Sequence, residues 1–142
     1  MTVICFDGKT LAADRQCEMN GGKFAMKKIG ALPDGTLIGT AGDTNRALVM
    51  YAWAANGFVP GDLPAVIGDE FARMLVVRPD GIPFVYANSD QGILFAGKHV
   101  AIGSGQDYAM TAMHLGLDAY AACQVACDLC SSCGMGIDAM EL

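Results

Sequence analysis

Hydrophobic and polar positions in the first residues of the chain predict a β-hairpin. Residues 2–6 are apolar and β-prone, the Asp7-Gly8 dipeptide favours a tight turn, and residues 9–13 return as the partner strand. With a two-residue loop, Thr2 is expected opposite Ala13. The chain therefore opens on two antiparallel strands that end near Asp14.

Further strands are predicted where short apolar segments lie between turn residues. The turns include Pro33-Asp34-Gly35 and Pro79-Asp80-Gly81, whose residues favour the conformations that reverse the chain. The segments predicted as strands are residues 24–29, 36–41, 73–78, 82–87, 92–95 and 98–102. The early segments are expected to form a β-meander, and those after residue 72 a second sheet.

Helices are predicted in three places. Asp43 is a typical N-cap, and apolar residues at helical spacing follow it as far as Gly57, which predicts a helix over residues 44–56. A brief helical piece is expected near residues 65–71, and two helices close the chain, over residues 106–115 and from the cap Asp118 to about residue 131. Segregated strands and helices indicate the α+β class, with two stacked sheets flanked by helices in one domain spanning residues 1–142.

Composition narrows the range of functions. The 142 residues carry 9 Lys and Arg against 15 Asp and Glu, a net charge of -6, so nucleic acid is not an expected partner. Apolar runs are too short for a membrane span, and the first residues lack the features of a secretory signal. We therefore expect a soluble protein, with its six cysteines in a reducing compartment.

Thr2 directly follows the initiator Met1, and a small residue there permits removal of the methionine. Removal would leave a free α-amine and a hydroxyl on one residue. An α-amine has a reference pKa of about 7.7 to 8.0, so it can act as the base while the hydroxyl attacks. A threonine after Met1 is also common without any such role.

Several segments, in this order, carry a resemblance to a known family. They are Leu11-Ala12-Ala13-Asp14-Arg15, Lys27-Lys28-Ile29, Gly39-Thr40-Ala41-Gly42-Asp43 and Ile102-Gly103-Ser104-Gly105, with the tail segments 126–130 and 137–142. Together they resemble the proteasome β-subunit family of N-terminal nucleophile hydrolases, and most closely the peptidase subunit of the bacterial HslUV-type ATP-dependent protease. The resemblance implies a four-layer αββα sandwich.

The resemblance also implies roles for five residues. Thr2 would be the nucleophile, Lys28 would favour its deprotonation, and Asp14 would hold Lys28. Gly39 would donate its backbone N–H to the oxyanion, and Ser104 would lie beside the nucleophile and its amine. Matching from the Asp7-Gly8 turn backwards would instead put the family's threonine before Met1. Matching from the start of the chain gives Thr2, which is the alignment adopted here.

Four late cysteines, Cys123, Cys127, Cys130 and Cys133, have a spacing that superficially suggests a zinc or iron–sulfur site. On a continuous helix the first three share one face, which favours a buried stripe of small apolar residues. The resemblance implies a different site, in which the backbone carbonyls of Cys127, Cys130 and Cys133 bind Na⁺. No cofactor is otherwise required.

The resemblance implies partners as well: a homo-oligomeric ring, an AAA+ unfoldase ATPase that feeds it, and unfolded peptide substrate, all in the cytoplasm. Two departures bear on this. The first hairpin is about four residues shorter than in the family, and residues 58–73 have room for one short helix where the family has two long ones. An inactive proteasome-like shell and a small amidase of the same fold are therefore alternatives to a threonine peptidase.

Overall fold

The computed structural model describes residues 2–142, which form eleven strands and three helices. The strands are β1 (Ile4–Phe6), β2 (Thr10–Asp14), β3 (Gln16–Met19), β4 (Gly22–Ala25), β5 (Ile29–Ala31), β6 (Leu37–Gly42), β7 (Ala72–Val77), β8 (Pro83–Ala87), β9 (Gly92–Leu94), β10 (Val100–Ile102) and β11 (Ile137–Glu141). The helices are α1 (Thr44–Ala55), α2 (Gln106–His114) and α3 (Ala119–Leu129).

Nine of the strands make two larger sheets, and neighbouring strands are antiparallel throughout. One sheet has the order β10-β1-β2-β11 and the other β5-β6-β7-β8-β9, while β3 and β4 form a separate hairpin. The expected separation into an early meander and a late second sheet is wrong. Strands β7 to β9 join β5 and β6, whereas β10 and β11 return to the first hairpin.

The first hairpin has a different register from the expected one. Ile4, rather than Thr2, lies opposite Ala13. Asp7 is still part of the ladder, since its N–H donates to the Thr10 carbonyl at 3.2 Å and its carboxylate accepts from the Thr10 N–H at 2.8 Å. The turn therefore comes one residue later than expected, and Thr2 lies just beyond the end of β2, since the Asp14 N–H donates to the Val3 carbonyl. A two-residue shift leaves each side chain on its expected face.

Four other segments differ from expectation. The β3–β4 hairpin and the last strand, β11, were not predicted, and the segment predicted as one strand over residues 24–29 contains the end of β4, an irregular stretch and the start of β5. Residues 65–71 contain no helix. Their neighbourhood is tied down instead by buried Arg46, which donates to the Pro64 carbonyl at 2.6 Å and to Asn88 Oδ1 at 2.8 Å.

Three hydrophobic clusters hold the elements together. The central one lies between the sheets and contains Ile4, Phe6 and Leu11 from one sheet with Leu37 and Leu75 from the other. A second cluster joins the other face of β1 and β2 to α2 and α3, and a third joins β6, β7 and β8 to α1. The fold is thus of the α+β class, with antiparallel sheets and three helices among the described residues.

Among the described residues, the third cluster contains one helix, α1, and residues 58–71, which include the partly buried Phe58 and Leu63 of that cluster, form turns and irregular segments. Within residues 2–142, none of the helices has the length and apolar character needed to cross a membrane.

Candidate active site

A buried chain of three polar side chains lies where the first strand begins. Lys28 Nζ is 2.8 Å from Thr2 Oγ1 and 2.8 Å from Asp14 Oδ1. Thr2 and Lys28 are about one-twentieth exposed, and Asp14 is fully buried. Thr2 precedes β1, Asp14 ends β2 and Lys28 precedes β5, so both larger sheets contribute to the cluster. The most distant members of this cluster in the sequence, Thr2 and Lys28, are 26 residues apart.

Asp14 is fixed by the backbone around it. Its Oδ1 accepts from the Val3 N–H at 3.0 Å, and its Oδ2 accepts from the N–H groups of Gln16 at 3.2 Å and Gly134 at 3.0 Å. A carboxylate that accepts three N–H groups and an ammonium has all its contacts satisfied within the protein and is held in one orientation. It therefore provides a fixed anchor for the Lys28 ammonium.

Residues 103–105 hold the other side of Thr2. The Thr2 N–H donates to Ser104 Oγ at 3.0 Å, and the Gly105 N–H donates to the Thr2 carbonyl at 3.0 Å. Gly103 has a φ of +98°, and a Cβ built there would lie 2.2 Å from the Thr2 carbonyl oxygen. Only glycine therefore permits this close approach, which aligns Ser104 with the backbone nitrogen of the proposed nucleophile.

Gly39 does not lie with the other predicted site residues. A Cβ built on it would lie 2.7 Å from Ile4 Cγ2, in the core between the sheets. The neighbouring Thr40 N–H donates to the Lys28 carbonyl, on the β5 side of β6, at 3.2 Å. Because N–H groups alternate in direction along a strand, the Gly39 N–H faces β7, away from the cluster.

Gly42, which sequence reasoning missed, is the glycine of β6 whose backbone N–H points toward the cluster. The Asp43 N–H donates to the Phe71 carbonyl on the β7 side, so the Gly42 N–H points the other way, beyond the start of β5. Gly42 also lines a pocket of about 30 Å³ together with Thr2 and Lys28. The sequence contained a signal for it, because Gly42 comes directly before the helix cap, where a strand must end.

The predicted removal of Met1 concerns a residue that lies outside the described part of the chain. Thr2 is the first residue that the structure describes, and its N–H donates to Ser104 Oγ. The structure therefore brings Thr2, Asp14, Lys28 and Ser104 together and leaves Gly39 in the sheet interior.

The late cysteines lie mainly in the core. Cys123 and Cys133 are buried in the cluster under α2 and α3, and no group of His, Cys, Asp or Glu within residues 2–142 has the arrangement of a metal site. Burial raises the pKa of the Cys133 thiol to about 12, which keeps it protonated at neutral pH. Cys127 lies in α3, Cys130 caps its end, and the Cys130 carbonyl accepts from the Cys133 N–H at 3.1 Å.

Two pockets flank the cluster, with Gly42 common to both. The small pocket on the Lys28 side also contacts Met26. The other, about 360 Å³, opens on the Ser104 side. An extended peptide laid across Gly42 could therefore have a side chain on each side of Thr2 Oγ1.

Antiparallel sheets covered by helices, as in the solved structures below, give this chain the HslV-like fold of the proteasome β type. Two solved structures of BPH from Thiobacillus denitrificans are similar over 100% of this chain. The structure in complex with epoxomicin has a TM-score of 0.73 and 22% sequence identity, and the similarity covers 98% of its own length. The other structure has a TM-score of 0.72 and 21% sequence identity, and the similarity covers 97% of its length. Eukaryotic HslV from Trypanosoma brucei has a TM-score of 0.73 and 21% identity, again over 100% of this chain and 99% of its own.

These similarities confirm, at the level of the fold, the resemblance drawn from the sequence segments. No protein-family profile and no curated protein sequence matches the chain.

Proposed function

We propose that the chain is a threonine-type peptidase subunit that hydrolyses peptide bonds, with Thr2 as its N-terminal nucleophile once Met1 is removed. The observation that carries the proposal is the 2.8 Å contact between Thr2 Oγ1 and Lys28 Nζ, with Asp14 2.8 Å from the same ammonium. A buried ammonium beside a hydroxyl lowers the free energy of the alkoxide that must form during attack.

The reaction begins with transfer of the Thr2 Oγ1 proton to the free α-amine of the same residue. The oxygen then attacks the substrate carbonyl carbon, and the negative charge that develops on the carbonyl oxygen is stabilised by the Gly42 N–H. Lys28 stabilises the alkoxide, Asp14 holds Lys28, and Ser104 orients the amine. When the tetrahedral intermediate collapses, the C–N bond breaks, the amine protonates the leaving nitrogen, and an ester to Thr2 remains.

Water then hydrolyses the ester. The α-amine takes a proton from the attacking water, the C–O bond to Thr2 breaks, and the hydroxyl regains its proton. The same amine therefore serves as base and acid in both halves of the reaction.

The proposal extends to assembly. The chain would be a single peptidase domain over residues 1–142, a four-layer αββα sandwich with one helical layer reduced to α1, and it would form a homo-oligomeric ring in the cytoplasm. Several apolar side chains are well exposed, among them Leu48 at 65%, Ile67 at 78% and Leu115 at 73%, as expected of surfaces that neighbouring subunits cover. An AAA+ unfoldase would supply unfolded substrate, and the Cys127, Cys130 and Cys133 carbonyls would hold Na⁺.

The test uses protein released from a cleavable fusion so that it begins at Thr2. It should cleave a peptidyl-aminomethylcoumarin, and a peptide vinyl sulfone should add its mass to the N-terminal peptide. Thr2→Ala should abolish both while leaving the oligomer unchanged by light scattering. Thr111→Ala, an exposed threonine on α2, is the matched control and should retain activity. Full activity in Thr2→Ala would overturn the proposal. A native ring that retains Met1 and cleaves nothing would favour an inactive shell.

A further inference from the structure

The larger pocket beside the cluster contains two charged side chains that the proposed chemistry does not use. Its volume is about 360 Å³, and its walls include Gly42 and Ser104 on the side of the nucleophile, with Phe71, Arg73 and Asp107 farther out. Because it adjoins the position of the reacting carbonyl, a substrate side chain next to the scissile bond can enter it.

The position of the Thr2 nitrogen decides which side of the scissile bond this pocket takes. In the proposed reaction the Thr2 amine protonates the leaving nitrogen, so the leaving half of the peptide departs on the side of that amine. The Thr2 nitrogen bonds Ser104 Oγ at 3.0 Å, and Ser104 lines the large pocket but not the small one. The large pocket therefore accepts the residue after the scissile bond, and the small pocket the residue before it.

Arg73 is the group in this pocket best suited to bind a substrate. Its guanidinium carbon lies over the Phe71 ring, 5.3 Å from the ring centre, which is a cation–π contact that helps to hold the side chain in the pocket. The side chain is exposed, and within residues 2–142 it forms no salt bridge. A carboxylate is the substrate group whose geometry fits a guanidinium edge.

Asp107 opposes this preference without reversing it. It lies in the first turn of α2, where the partial positive charge of the helix N-terminus already compensates a carboxylate. It is also exposed, so water screens its field. We therefore expect Asp107 to reduce the attraction of the pocket for an acidic side chain.

We propose that Arg73 makes the enzyme select substrates with Glu or Asp immediately after the scissile bond. The inference rests on the proposed peptidase function and names the substrate class of its leaving-group side. Since an ion pair between exposed Arg73 and a substrate carboxylate would be open to solvent, the preference for Glu over Gln should be about two- to fivefold in kcat/KM. It should fall as the salt concentration rises.

The experiment compares internally quenched peptides that differ only in Glu, Gln or Lys after the scissile bond, with the cleavage position verified by mass spectrometry. Wild type should prefer Glu over Gln and Gln over Lys. Arg73→Gln should bring the Glu-to-Gln ratio close to one, and Asp107→Asn should increase it. The matched control is Arg78→Gln, because Arg78 also lies over a phenylalanine, Phe84, at 4.3 Å but lines a different pocket. It should leave the ratio unchanged.

A wild-type preference for Lys that disappears in Asp107→Asn would overturn the inference, as would an unchanged Glu-to-Gln ratio in Arg73→Gln. Cleavage of the peptidyl-aminomethylcoumarin, which has no amino acid on the leaving side, separates the two proposals. If wild type cleaves it but treats Glu, Gln and Lys alike, only the pocket assignment fails. If wild type cleaves neither kind of substrate, the peptidase function fails and the inference with it.

Discussion

Substitutions of Asp14 and Lys28 should destabilise the fold very unequally, although the two residues form one buried ion pair. Lys28→Met leaves the Asp14 carboxylate with its three backbone N–H donors, so we expect a loss near the lower end of the range for breaking a buried pair, about 3 kcal/mol. Asp14→Ala removes the partner of Lys28 and also leaves those three N–H groups without their acceptor.

The cost of Asp14→Ala follows from these contacts. An unpaired buried ammonium costs about 3 kcal/mol or more, and three buried N–H groups without acceptors cost at least about 1 kcal/mol each. The total of about 6 kcal/mol is comparable to the whole stability of many domains. Asp14→Asn is the milder variant. With its NH2 group in the Oδ2 position, it would face the two N–H donors of Gln16 and Gly134.

Urea unfolding, followed by the fluorescence of Trp53, the single tryptophan, measures these differences. The double variant Asp14→Ala/Lys28→Met should cost only about 3 kcal/mol, well below the sum of about 9 kcal/mol for the two single losses, because it buries neither an unpaired ammonium nor an unpaired carboxylate and leaves only the three N–H groups without an acceptor. Lys9→Met, at an exposed pair with Glu141 at 3.8 Å, is the control and should change stability by about 0.5 kcal/mol or less. The reasoning is refuted if Lys28→Met costs as much as Asp14→Ala, or if the two losses simply add.

Three further predictions test other parts of the structure. Gly42→Ala should lower both stability and peptidase activity, since the φ of Gly42 is +115° and a Cβ there would lie 2.4 Å from the Phe71 carbonyl oxygen. The control is Gly57→Ala, at φ +100° with nothing within 4 Å of the built Cβ, which should cost only about 1 kcal/mol of backbone strain. Equal losses of stability in urea unfolding would contradict this prediction. Burial would raise the pKa of Asp7, but hydrogen bonds from the N–H groups of Thr10, Ala119 and Lys9 outweigh burial and lower that pKa. The stabilisation of the fold by the Asp7 carboxylate is therefore present above the unfolded-state pKa of about 3.9 and is lost as the pH falls through the folded-state pKa. The destabilisation caused by Asp7→Asn should accordingly shrink between pH 5 and about pH 3 in urea titrations, and a pH-independent difference would count against it. Burial, with nearby acidic groups, raises the pKa of Cys5 to about 12, so iodoacetamide at pH 8 should label Cys5 only after unfolding in urea, as read by peptide mass spectrometry; labelling of the folded protein would show the thiol to be accessible.

Local signals predicted the helices well. Asp43 and Asp118 were identified as N-caps, and their side chains accept from the N–H groups three residues on, both at 2.8 Å. Such a cap depends on four consecutive residues, which a sequence displays directly. The expected helical piece over residues 65–71 did not form, and that segment is irregular as far as Ile67 and turns at Gly68 and Asp69.

Long-range pairing was harder to predict. Nothing local indicates that β10 and β11 pair with the first hairpin rather than with the strands nearer to them in sequence. For the same reason, the sequence could not show whether the N–H of Gly39 or that of Gly42 faces the site. Which N–H faces the site depends on the pairing of β6 with β5 and β7, and a shift of three residues along a strand reverses the direction.

The cluster around Thr2 also has a consequence for biosynthesis. Thr2 depends on Ser104, 102 residues later in the chain, and Asp14 on the N–H of Gly134, 120 residues later. A ribosome makes the N-terminal residues first, so a partly synthesised chain lacks the groups that orient the proposed nucleophile. A cell making such a peptidase is therefore protected from premature hydrolysis by the order of translation itself, before any ring encloses the site.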